Sequence, residues 1–176
     1  MKQVVIALGA LAMLCAVAGH AQSDEPAAAA AAVVAAAKVP TAAQALAAWQ
    51  DFRAEPLARL DRTPAFLDFI RDSGQVHMVL NNALLAWMYQ PMDDALKATL
   101  YAAFLGGNMA AQLDTRESDD SDDVAGMAAA LDAYTQVRNA HPDFQVPLFE
   151  RLATARAEQR LAAAVNDIEA ADTSSP

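Results

Sequence analysis

From Thr41 to Ile168 the large apolar residues recur three and four positions apart, and no stretch alternates apolar and polar residues as a half-buried strand requires. That spacing restricts the chain to helices that each bury one stripe, so the expected fold is all-α: a compact bundle of about five to six short helices. Hydrophobic residues make up 55% of the chain, but alanine supplies much of that figure and buries little area per residue. The core must come from the larger side chains between Leu46 and Ile168, a length suited to one domain.

Local signals place the helices. Thr41 and Gln44 form a capping box that starts a helix through Leu46, Trp49 and Phe52, which Pro56 ends or bends. Thr63 as N-cap with Pro64 behind it opens a second, carrying Phe66, Phe69 and Ile70 on one face until "DSG" at 72–74. Residues 75–90 place Val76, Val79, Leu80, Leu84, Trp87 and Met88 at helical spacing, with Met78, Leu85 and Tyr89 around the rest, so this segment is expected to be the central helix. Asp93 and Asp94 suit the positive end of the helix that follows. Val124, Met127, Leu131 and Tyr134 mark another, and Pro147 opens a last one through Leu148, Leu152, Leu161, Val165 and Ile168.

The ends of the chain have a different composition. Residues 1–21 carry Lys2, an apolar run from Val4 and the small residues Gly19 and Ala21, the layout of a cleavable signal peptide. Periplasmic or secreted localisation is therefore expected, with no stable membrane span after cleavage. The alternative is a lipoprotein anchored through Cys15, which Leu14 disfavours by its bulk. Residues 22–40 read as an Ala/Pro-rich low-complexity linker, 41–170 as the helical domain and 171–176 as a disordered tail. With Cys15 removed, neither disulfides nor thiol catalysis remain.

Cleavage would delete Lys2 and no acid, taking the net charge from −10 to about −11. Such a charge repels nucleic acid and favours a basic protein partner. The acids concentrate in "RESDDSDDVAG" at 116–126, which makes Glu117, Asp119, Asp120, Asp122 and Asp123 the candidate partner-binding residues. A calcium loop beginning at Asp119 fails, because Val124 stands where the turn needs glycine and Ala130 where a glutamate should close the site. One of Ser121, Asp122 and Asp123 is expected to cap the next helix.

A second candidate lies in "AAFLGGNMAA" at 102–111, where small residues in two adjacent columns leave one helix face nearly bare. Glycine in a helix interior costs roughly 0.5–1 kcal/mol against alanine, so Gly106 and Gly107 require either close helix packing or a ligand groove. The groove alternative is a small-molecule or lipid pocket built from His77, Asn81, Trp87, Met88, Phe104, Gly106, Gly107 and Asn108.

No cofactor is expected. H-E-x-x-H, Glu-x-x-His, G-x-S-x-G and glycine-rich phosphate loops are all missing from the sequence. Ala130, Tyr134 and Pro142 match the second half of a tetratricopeptide repeat, but the first half would cross the acidic run and lacks its large residues. The expected function is protein–protein binding of adaptor or inhibitor type in the bacterial envelope, with the small-molecule pocket as alternative and hydrolysis by an acid pair least favoured.

Overall fold

The computed structural model describes residues 39–115 and 121–173. They form α1 (Ala42–Ala54), α2 (Thr63–Asp72), α3 (Asp94–Thr115), α4 (Asp123–Ala140), α5 (Pro147–Ala157) and α6 (Leu161–Thr173), with single 3₁₀ turns at Leu60–Arg62 and Ala86–Tyr89. No strand occurs among the described residues, and the helices pack around one apolar core. The all-α bundle read from the apolar spacing is the fold observed.

Side-chain caps satisfy the first backbone N–H groups of α1, α3 and α4. At α1, Thr41 Oγ1 accepts from Gln44 N at 3.3 Å while Gln44 Oε1 accepts from Thr41 N at 2.9 Å. Asp93 Oδ1 accepts from Ala95 N and Leu96 N at the head of α3, and Asp122 Oδ1 accepts from Ala125 N at the head of α4. Pro147 is the first residue of α5. At α2 the expected cap differs. The preceding 3₁₀ turn runs directly into the helix, and Thr63 Oγ1 donates back to Leu60 O instead of accepting from the helix N-terminus.

The central helix is α3, and not residues 75–90. From Ala102 to Met109 every residue of α3 is buried, so it is enclosed by its neighbours, most extensively by α4. Segment 75–90 is instead an irregular strap followed by a turn and the 3₁₀ turn at Ala86–Tyr89. Three local facts stop it coiling. Gly74 enters it at φ +63°, Asn81 Oδ1 caps the turn by accepting from Ala83 N and Leu84 N, and the His77 backbone is held by a side chain of α3. Helical spacing of apolar residues here marks alternate contacts of a strap. Leu84 and Trp87 reach the core, while Val79 and Tyr89 stand 55% and 82% exposed.

The expected last helix is two helices. Glu158 N donates to Thr154 O, Gln159 N to Arg156 O and Arg160 N to Ala155 O, with Gln159 at φ +58°. This is a Schellman ending with glutamine where glycine usually stands, and it turns the chain so that α6 packs on α4. Two aromatic clusters fill the core: Trp49 with Phe52 and Phe66, and Trp87 and Tyr134 on either side of Phe149.

Candidate functional site

The small-residue columns of α3 are packing surfaces. A methyl group built on Gly106 would sit 2.2 Å from the ring of Trp49, and one on Gly107 would sit 2.4 Å from Ala129 Cβ and 2.8 Å from Ala125 O. Gly126 of α4 answers them, since a methyl there would meet the Phe104 ring at 2.8 Å. The backbones of α3 and α4 approach closely along this seam, which offsets the intrinsic cost of the glycines.

Immediately after Gly107 on α3, Asn108 is fully buried and uses its whole hydrogen-bonding capacity. Its Nδ2 donates to Ser121 Oγ at 2.7 Å and Asp123 Oδ1 at 3.0 Å. Its Oδ1 accepts from Gln112 Nε2 at 2.6 Å and Asp122 N at 3.0 Å. Ser121 Oγ donates to Asp123 Oδ1 at 2.6 Å. Gln112, one helical turn from Asn108, completes the set like the edge of a sheet: its Oε1 accepts from His77 N and its Nε2 donates to His77 O, both at 2.8 Å. A single polar knot thus ties the strap, α3 and the start of α4 together.

The knot opens onto a polar cleft of about 160 Å³ lined by Ser121, Asp122, Asp123, Val124, Asn166 and Glu169. Glu169, on α6, lines the cleft together with Asp123, and the two carboxyls lie close enough to interact. Burial first, then the hydrogen bond and charge of Asp123, raise the Glu169 carboxyl from 4.5 to about 7. Glu169 therefore changes its charge close to neutrality. Among the described residues, no histidine, lysine or arginine lines the cleft, so the groups described there supply a pH-dependent negative charge. Among the described residues no three His, Cys, Asp or Glu side chains form a set that could hold a metal ion.

The structure separates the residues the sequence singled out. Of the acidic run, Asp122 caps α4 and Asp123 is buried in the knot, while Glu117, Asp119 and Asp120 lie outside the described residues. Of the pocket residues, Phe104, Gly106, Gly107 and Asn108 are buried in helix packing or in the knot. His77 joins the knot through its backbone, Asn81 caps its own turn, and Met88 packs against the core. The cleft that Trp87 lines contains neither Phe104 nor Asn108. Sequence reasoning missed Gln112 and Glu169, whose partners lie on distant segments with no local signature.

Comparison with protein-family models, characterised proteins and solved structures finds no match.

Proposed function

We propose that the protein acts by binding a basic protein partner at the acidic corner where α3 meets α4, and that it does so in the cell envelope to which residues 1–21 would direct it. The layout of charge is the observation that carries this reading. Arg53, Arg59, Arg62, Arg71, Arg138, Arg156 and Arg160 are each held in ion pairs with acids elsewhere on the bundle. Asp122, Asp123, Asp167 and Glu169 make no ion pair with any described basic side chain, and Glu117, Asp119 and Asp120 adjoin them in sequence.

Asp93, Asp94, Asp114 and Asp143 likewise make no ion pair with a described basic side chain; what distinguishes the start of α4 is that Asp122, Asp123 and Glu169 line one polar cleft there. The hydrogen bonds of Asn108 fix the inner acids, Asp122 and Asp123, so part of the surface is already ordered before any encounter. Such a field steers a cationic partner over about a Debye length, roughly 8 Å at physiological salt. The test is capture of partners from an envelope extract by the full chain at low and at high salt. Partners retained at about 50 mM and released at about 500 mM support the reading; a partner held equally at both contradicts it.

A further inference from the structure

A second cleft, of about 260 Å³, lies between the turn at 82–90 and the first turns of α5. Its lining includes Ala83, Ala86, Trp87, Gln90, Leu148 and Arg151. The side chain of Trp87 is 1% exposed, and its indole Nε1 is a buried donor with no hydrogen-bond partner. An unpaired buried donor loses its hydration without replacement, so buried indole N–H groups usually find an acceptor. Beside it stand two further side chains without partners. Among the described residues, the Gln90 side chain has no hydrogen-bond partner and the Arg151 side chain has neither a hydrogen bond nor an ion pair, unlike the arginines at 53, 59, 62, 71, 138, 156 and 160.

We infer that this cleft binds a small organic carboxylate with an apolar body, the carboxylate meeting Arg151 and Gln90 and the body lying on Ala83, Ala86 and Leu148 against the Trp87 ring. Arg151 and Gln90 line a mostly apolar cleft together with Trp87, which is the composition of a small-ligand site. A guanidinium matches a carboxylate through two parallel hydrogen bonds, and Trp87 Nε1 can only donate, so the occupant must present acceptors. The volume lies just below the usual range of about 300–1,000 Å³ for ligand pockets, which suits a molecule smaller than a nucleotide cofactor. This site is separate from the acidic corner, so either can fail without the other.

The test uses octanoate as probe and octanamide as its neutral counterpart, with the indole N–H resonances of Trp49 and Trp87 followed in ¹H–¹⁵N spectra of the full chain. Loss of one resonance in Trp87→Phe assigns it. Octanoate is expected to shift the Trp87 resonance saturably and leave that of Trp49 in place. Octanamide should bind about tenfold more weakly, and Arg151→Gln should weaken octanoate by a similar factor, as for loss of one charge-assisted hydrogen bond. Absence of a Trp87 shift, equal shifts at both tryptophans, or equal binding of the acid and the amide would each overturn the inference.

Discussion

Replacing Gly107 by alanine is expected to destabilise the fold by about 1–2 kcal/mol, although in an ordinary helix interior the same change stabilises by about 0.5–1 kcal/mol. The sign follows from the α3–α4 seam. The added methyl would lie 2.4 Å from Ala129 Cβ and 2.8 Å from Ala125 O, well inside van der Waals contact. Because one neighbour is backbone, no rotamer change clears the clash, and α3 and α4 must separate. Overpacking of this kind costs about 1–3 kcal/mol, which exceeds the propensity gain. Separation would also stretch the hydrogen bonds from Asn108 to Ser121 and Asp123, 2.7 and 3.0 Å long in the native seam. The assay is urea unfolding followed by circular dichroism, with the midpoint compared at unchanged slope. Gly74→Ala serves as contrast, since its added methyl meets nothing within 4 Å and its cost of about 1 kcal/mol comes from φ +63° alone. A rise in stability of about 0.5–1 kcal/mol for Gly107→Ala would refute the packing argument and mark that face of α3 as open.

Three further outcomes follow from the same structure. Asn108→Ala should cost about 3 kcal/mol in urea unfolding, because it strands the Asp122 amide and the Gln112 amide in a buried site. Glu169 binds its proton more tightly folded than unfolded, so its contribution is complete below about pH 4.5 and is lost as pH rises to about 7. Among the described residues the groups facing it across the cleft are Asp122 and Asp123 at the start of α4, with Asn166 on its own helix, and none of these is a cation. Melting temperatures of wild type and Glu169→Gln should therefore diverge across that window, the wild type falling relative to the variant; parallel curves would exclude the pair. Gln159→Gly should raise stability by about 1 kcal/mol in thermal unfolding by relieving a left-handed backbone at φ +58°.

The helical class and most helix starts could be read from the chain because they depend on near neighbours. Thr41 with Gln44, Asp93 and Asp122 all act within three residues of their own position. Segment 75–90 misled because apolar spacing does not register what holds the backbone. Gln112 takes both hydrogen-bonding groups of His77 from 35 positions away, and nothing near residue 77 announces it. The break at Gln159 escaped notice for a related reason, since a Schellman ending normally shows itself by glycine and this one has none. At the site, the acidic run drew attention as one feature, yet it divides by position. Asp122 caps α4 and Asp123 joins the knot, and the acid that shares their cleft, Glu169, stands 46 positions after Asp123. The tight packing at Gly106 and Gly107 stood as one of two readings of a bare helix face, and only the distances to Trp49 and Ala129 separate them.

The proposal of an acidic docking corner is tested most directly by the salt dependence of affinity for a captured partner, compared between wild type and Glu117→Gln/Asp119→Asn/Asp120→Asn. These substitutions leave Asn108, Asp122 and Asp123 intact, so the knot is preserved. The account predicts that wild-type affinity falls steeply as salt rises, and that the variant binds more weakly at low salt with a shallower slope. Equal affinity and equal slope for the two proteins would contradict it.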